Sequence, residues 1–513
     1  MKKKSNSRTE NSIINMFFGF AYQFITLILS FVSRTVFLQV LSVDYLGING
    51  LFTDILQMLS LADLGFNTAM TYSFYKPLAE GNKAKIASLV KFYKQVYRVI
   101  AISVASIGLM LTPFIEYIVN AEQEIPLLQV YYLFSLAGVV VSYLYVYKTT
   151  LLVADQKNYY IVKISIIINI VKTVIQIISL ILFRNYIVYL AIALCANFIN
   201  NYIESKRAEK EYPYLTGETE SLNPDEKKSI FKNLKSVFLY KISGILLNAT
   251  DNIFISVLVN TVTVGYYSNY LMINTKVTGF LSTGFGAITA SVGNVIVTEK
   301  EDKRYEIFQT LQTVSFIICG IVVSGYLLLI NDFISVWLGN TYVFDLPTVL
   351  TIALNLYFGC VLQPIWSYRE ATGLYTKTKY IMLITAGLNI VFSLVMGKCW
   401  GIKGILLASI VSRILTYIWY EPYLLFKQYF NRPVRKYYMG LICNVILVLA
   451  IVFINQALFK SMIVNSWFSL FLKVAVIGVA TVAEFIGIYI RTEGCRLLID
   501  KVKYFVSNLL NKQ

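Results

Sequence analysis

Stretches of twenty or more mostly apolar residues recur along almost the whole chain, separated by short clusters of charge, Pro, Gly and Asn. A helix needs about 20 such residues to cross the hydrocarbon of a bilayer, whereas barrel strands are shorter and alternate. The pattern predicts fourteen transmembrane helices, over 12–41, 46–75, 87–113, 126–154, 159–183, 186–205, 230–260, 262–297, 307–337, 347–371, 377–397, 402–427, 437–459 and 466–490. The first, second, seventh and eighth exceed the minimum and are expected to tilt or protrude.

The pattern also repeats. Gly47 in DYLGI matches Gly265 in VTVGYY, LGF at 64–66 matches TGF at 283–285, PFI at 113–115 matches DFI at 332–334, and NIV at 169–171 recurs at 389–391, all at displacements of 218 to 220. Units with an even number of spans insert in the same orientation and are related by an axis along the membrane normal, with substrate between them. The expected fold is an all-α polytopic membrane protein with two parallel six-helix lobes, 1–207 and 230–430, related by a pseudo-two-fold axis. A cytoplasmic linker (208–229) joins them; two extra helices (431–490) and a cytoplasmic tail (491–513) follow. The linker lies in the longest polar interval, Glu204 to Ser236, where Pro213, Gly217 and Pro224 break helix and Asn223 caps a short amphipathic helix leading into the seventh span.

Composition agrees: 57% of the 513 residues are hydrophobic and 14% charged, against roughly 25% charge in an average soluble domain. The basic start, MKKKSNSRTENSIINMFF, leads into an apolar segment too long for a signal peptide and without a small-residue cleavage site, so it is expected to stay attached. The net charge of +17 comes from Lys and Arg in the two tails and alternate loops; the opposite loops carry only Arg184, Lys398, Lys403 and Lys460, and hold Asp44, Glu116, Glu122, Glu124, Asp332 and Asp345. Positive loops stay on the cytoplasmic side, so both termini are expected there. Charge spread over successive loops speaks for topology and against nucleic-acid binding. The six cysteines have no paired metal spacing and there is no histidine, so disulfides, a metal site, a cofactor and Ser/His or Cys/His catalysis lose support together.

Polar residues then single out four spans. In the second, Asn49, Thr53, Gln57, Ser60, Asp63, Asn67 and Thr71 share one face of an unbroken helix, with Asp54 opposite Asp63. The seventh carries Lys241, Gly244, Asn248 and Asp251; the first Gln23, Thr26, Ser30, Ser33 and Arg34; the eighth Lys276, Gly279, Thr283, Gly286 and Gly293. An ionised group at the bilayer centre costs ~3 kcal/mol or more, so these helices are expected to line a shared water-filled cavity. The competing reading is helix-to-helix glue for the uncharged members and structural ion pairing for Arg34, Asp63, Asp251 and Lys276. Arg34 and Asp251 sit at near-equivalent repeat positions and are candidates for a pair. Lys172, Arg413, Lys473 and Glu484 also fall inside spans with their roles open; Lys172 either lines the cavity or snorkels, and Lys473 and Glu484 are too far apart to bridge directly.

The run DYLGINGLFTDILQMLSLADLGFNTAMTYSFYKPLAEGNKAKI, Asp44 to Ile86, resembles the second-span region of bacterial polysaccharide and O-antigen flippases. These form the Wzx class of the multidrug/oligosaccharidyl-lipid/polysaccharide exporter superfamily. The likeness is carried by GING, SLADLG and the Tyr-Lys-Pro end; elsewhere it rests on span count, the repeat and QK at 156–157. It implies alternating-access translocation of an undecaprenyl-pyrophosphate-linked oligosaccharide across the bacterial cytoplasmic (inner) membrane for capsule or O-antigen synthesis. Expected partners are that lipid-linked sugar, membrane lipids, a coupling Na⁺ or H⁺ and polysaccharide polymerase machinery. Arg34, Lys241 and Lys276 are the candidates for the pyrophosphate, because guanidinium and ammonium groups pair strongly with phosphate in a poorly solvated site. Gln23, Gln57, Asn67 and Asn248 are candidates for the glycan path, and Asp63 and Asp251 for ion coupling or charge pairing. Rival readings are an ion-coupled small-molecule or drug antiporter of the same superfamily, and a lipid II or teichoic-acid precursor flippase. A polymerase or ligase is a further rival, but the short external loops argue against an enzyme.

Overall fold

The computed structural model describes residues 8–60, 66–121, 124–216 and 222–510, and among them there is no strand. The first series of helices is α1 (Arg8–Val40), α2 (Val43–Leu59), α3 (Phe66–Ala79), α4 (Lys83–Leu111), a short α5 (Ile115–Ile118), α6 (Leu128–Tyr143), α7 (Val146–Ala154), α8 (Tyr159–Phe183) and α9 (Tyr186–Glu211). The second is α10 (Pro224–Leu258), α11 (Thr261–Thr298), α12 (Glu301–Leu338), α13 (Leu346–Val361), α14 (Gln363–Thr372), α15 (Tyr375–Trp400), α16 (Ile402–Ile414) and α17 (Tyr417–Leu425). The last helices are α18 (Arg435–Leu458), α19 (Trp467–Tyr489) and α20 (Glu493–Leu510).

The two series keep step: α2 and α11, α4 and α12, and α6 and α13 each start 218 residues apart. Irregularities repeat as well. The α6–α7 pair bends by 53° and the α13–α14 pair by 43°. Pro364 sits in the first turn of α14, where a missing N–H costs nothing, yet the first copy bends without a proline. In the turn after α7, Gln156 takes a left-handed φ of 58°; the same place in the second copy is Gly373, at 69°. Asn15 of α1 fastens that first turn, donating to the Gln156 carbonyl and accepting from the Tyr159 N–H, both at 2.8 Å.

Among the described residues ten helices are long and apolar enough to cross a membrane, and the two bent pairs raise this to twelve. The expected spans outside that set are the second and the seventh, the two singled out for Asp63 and Asp251. The second is not the unbroken helix expected over 46–75: α2 stops at Leu59 with Ser60 as its C-cap, and α3 begins at Phe66. The seventh lies within α10, a single helix from Pro224 rather than a short helix leading into a span; Glu226 accepts from the Asn223 N–H at 3.3 Å.

By packing, the chain divides into two units, Met1–Leu271 with Thr376–Ile405, and Met272–Tyr375 with Leu406–Gln513. This grouping cuts across the lobes drawn from the repeat, because α10, the start of α11 and α15 join the first copy. Inside the first unit, equivalent residues of the two copies meet. A Cβ on Gly47 would strike the Thr261 carbonyl oxygen; one on Gly265 would lie 2.6 Å from the Val43 carbonyl oxygen and 3.3 Å from the Gly47 nitrogen. Val43 and Thr261, like Gly47 and Gly265, are one repeat apart, so the α2–α11 crossing is self-complementary, as across a two-fold axis. Polar bonds follow the same exchange: Arg34 of α1 donates to α11, and Asn252 of α10 donates to Asp54 of α2 at 2.7 Å.

In the second unit an aromatic cluster, Tyr305, Phe308, Tyr368, Phe426, Phe430 and Tyr437, closes the core around α12. Cys360 and Cys319 are buried and all six cysteines are free thiols.

Candidate functional site

The first unit holds a cavity of about 200 Å³ between α1, α2, α8 and α9. From α1 come Thr26, Ser30, Ser33 and Arg34, and from α8 Asn169, Lys172, Thr173 and Gln176. Both sets follow i, i+3, i+4 or i+7 spacing, which brings them to one face of each helix. Asn49 of α2 and Tyr189 of α9 complete the polar wall, with Leu29, Phe37 and Leu46 as apolar lining.

The wall is held by neutral partners. Arg34 Nη1 donates to Ser268 Oγ at 2.8 Å and Asn269 Oδ1 at 3.2 Å, and Lys172 Nζ donates to Asn169 Oδ1 at 3.0 Å. Gln176 donates to the Tyr189 carbonyl at 3.0 Å, and the Tyr186 hydroxyl to Asn49 Oδ1 at 3.4 Å. The lining contains two cations and no carboxylate. Chemically it is a compartment of fixed donors and positive charge, the arrangement that receives an anion.

Of the residues expected to bind substrate, Arg34 alone among the described residues lines this cavity. Lys172, whose role was open, joins it there. Gln23 is half-buried, and Gln57 and Lys241 are exposed. Asn67 accepts from Thr150 Oγ at 3.0 Å, a bond that joins α3 to α7. Asp251 is 9% exposed and lies within electrostatic range of Asp54, while the Arg34 guanidinium donates to Ser268 and Asn269. Lys276 is half-buried in the part of α11 that belongs to the second unit. Asp63 and the Asn248 side chain lie outside the described residues. Of the polar face expected from Asn49 to Thr71, α2 carries Asn49, Thr53 and Gln57 and α3 carries Asn67 and Thr71.

The remaining charges within spans find partners. Lys473 pairs with Asp332 at 2.6 Å, Asn455 donates to Glu484 at 2.8 Å and Arg413 to Asn355 at 3.2 Å. Two buried acids were missed by the sequence reading. Glu421 of α17, 3% exposed, is bridged by Arg369 Nη1 at 3.0 Å to each oxygen. Glu204 of α9, 5% exposed, accepts from Ser165 Oγ at 2.9 Å and Asn200 Nδ2 at 2.8 Å, both on Oε1. The local helices of the two copies, α8 and α15, α9 and α16, start 216 residues apart, which brings Glu204 and Glu421 to within one residue of the same place. Glu204 was obscured by the charged run that follows it, ESKRAEKE, which reads as a solvated linker although α9 continues to Glu211.

The helix order, the repeated bends and the exchange of contacts between copies define a multi-pass membrane protein of repeat architecture. No protein-family model and no curated relative matches the sequence. Solved structures do share its fold. The lipid II flippase MurJ, in an inward closed conformation, superposes with a TM-score of 0.63 at 15% identity, covering 92% of this chain and 98% of that one. A multidrug resistance MATE family transporter of the MOP superfamily, inward-facing, gives 0.56 at 13% identity over 80% of this chain and 97% of that one. A MOP superfamily transporter from Pyrococcus furiosus, described as having a binding pocket of reverse polarity, gives 0.56 at 12% over 81% and 95%. The chain therefore has the helical fold of MOP-superfamily transporters.

Proposed function

We propose that the chain is a flippase that moves a diphosphate-linked lipid precursor of a surface polysaccharide across the bacterial cytoplasmic membrane by alternating access, with Arg34 and Lys172 holding the diphosphate. The observation that carries this reading is the charge of the cavity, two cations among amides and hydroxyls with no carboxylate in the lining. Its 200 Å³ is below the roughly 300–1,000 Å³ of sites for drug-sized ligands, which suits a headgroup fragment. Positive lining also disfavours an exporter of organic cations. The likeness in fold to a lipid II flippase supports the same reading. Lys241 and Lys276 as further cations, a glycan path over Gln23, Gln57, Asn67 and Asn248, an undecaprenyl-linked oligosaccharide as cargo, and ion sites at Asp63 and Asp251 belong to this proposal. So do cytoplasmic termini and the six-helix lobes as its moving bodies.

The test is binding of farnesyl diphosphate, farnesyl monophosphate and farnesol to the purified protein in nanodiscs. The diphosphate binds best, and Arg34→Ala and Lys172→Ala each weaken it about 10- to 100-fold, the ~1.5–3 kcal/mol of a hydrogen bond to a charged group. Equal binding of all three ligands, or undiminished binding by both variants, contradicts the assignment.

A further inference from the structure

Glu204 and Glu421 hold the same place to within one residue in the two copies and are both nearly inaccessible, but their surroundings differ in kind. Glu421 is neutralised by a guanidinium that reaches both of its oxygens. Glu204 meets a hydroxyl and an amide, both on one oxygen. A buried carboxylate without a cation is costly to keep ionised.

Neighbouring groups do not supply the missing charge. Lys148 of α7 pairs with Glu209, and Arg207, on the same helix as Glu204, pairs with Glu211. Lys163 of α8 lies over the rings of Phe18 and Tyr159. Tyr22 of α1 is within electrostatic reach of Glu204 and adds no positive charge. One acceptor close by is also unsatisfied: Asn200 Oδ1 is buried without a hydrogen-bond partner, on the side chain whose amide nitrogen already donates to Glu204. A protonated Glu204 carries the O–H donor that this acceptor lacks.

Glu204 is tied to the cavity through α8. Ser165 donates to Glu204, Asn169 donates to the Ser165 carbonyl at 2.8 Å, and Lys172, in the cavity wall, donates to Asn169. One polar ladder thus joins the acid to a cation of the anion compartment.

We infer that Glu204 is a proton-binding site linked to anion binding: a proton taken up on Glu204 favours an anion in the Arg34–Lys172 cavity, and the anion favours the proton. Ionised Glu204, at the other end of that ladder, sets a negative charge against the anion; protonation removes that charge and satisfies Asn200. Reciprocity of linkage then requires proton uptake when the anion binds. The inference rests on the functional reading above.

The test is calorimetric titration of the full-length protein in nanodiscs with inorganic pyrophosphate, in buffers of different ionisation heat. The wild type and E204Q are compared at each pH, so that protonation of pyrophosphate itself cancels. Wild-type protein takes up an additional proton on binding, and its affinity rises as pH falls. E204Q, neutral and still a donor to Asn200, loses that uptake and at high pH binds at least about fivefold tighter than wild type, the low end of typical coupling. Infrared difference spectra of the wild type alone, with and without pyrophosphate, give an independent reading through a new protonated carboxylic-acid band. Binding without extra proton uptake and without that band overturns the inference while leaving the flippase reading intact. Failure of the wild type to bind pyrophosphate or farnesyl diphosphate overturns both.

Discussion

In the second unit two buried ionic groups close on opposite charge, Arg369 on Glu421 and Lys473 on Asp332, while Glu484 and Arg413 meet the amides of Asn455 and Asn355. In the first, Arg34, Lys172 and Glu204 meet only hydroxyls and amides, and two of the three face a cavity. A charge matched inside the fold is spent on structure. One met by neutral dipoles keeps most of its field for something that arrives from outside. The proposed function assigns binding to the first unit and scaffold to the second, although both draw on the same series of helices.

The sharpest way to break this contrast is Arg369→Ala. It strands Glu421 in a nearly inaccessible position and is expected to cost about 3–5 kcal/mol, whereas R369M/E421L together recover most of the loss. Thermal unfolding in nanodiscs reads both, and a single variant as stable as wild type would mean that the second unit's charges are not structural. A smaller effect, about 1 kcal/mol, is expected for Lys473→Ala, because Asp332, left behind, is one-third exposed and partly solvated. It should loosen α19 first, seen as faster amide exchange there than in α8.

The smallest effect is at the solvated edge of the first unit. Lys85 pairs with Glu226, holding that carboxyl below its ordinary 4.5, with the Asn223 N–H adding to the shift. A depressed carboxyl stabilises the fold at pH values above its unfolded pKa, and that contribution is lost as pH falls through the lowered one. The stability advantage of wild type over Glu226→Gln should be flat near neutrality and disappear below pH 4.5. An advantage that persists there would remove the ion pair from the account.

Much of the architecture was legible in the chain, because a membrane leaves few choices and period, length and repeat are one-dimensional signals. Gly47 and Gly265 were matched as letters and prove to touch as backbones. The site was only half legible. Periodicity puts Arg34 and Ser30 on one face of a helix, but says nothing of the helix that face meets; α8, with Lys172, brought the second cation. Asp54 was placed only as opposite Asp63, and it is the carboxylate that Asn252 holds at the α2–α10 contact. Glu204 was hidden by its basic neighbours, since charge density along a sequence marks solvent exposure only on average.

The α2–α11 crossing has one more implication. Backbone bears on backbone at Gly47 and Gly265, with the Val43 and Thr261 methyls as the side chains beside it. Such a joint fixes how near the two helices lie. Arg34 is anchored three and four residues beyond Gly265, at Ser268 and Asn269, where a small turn of the joint gives only a short displacement at the guanidinium.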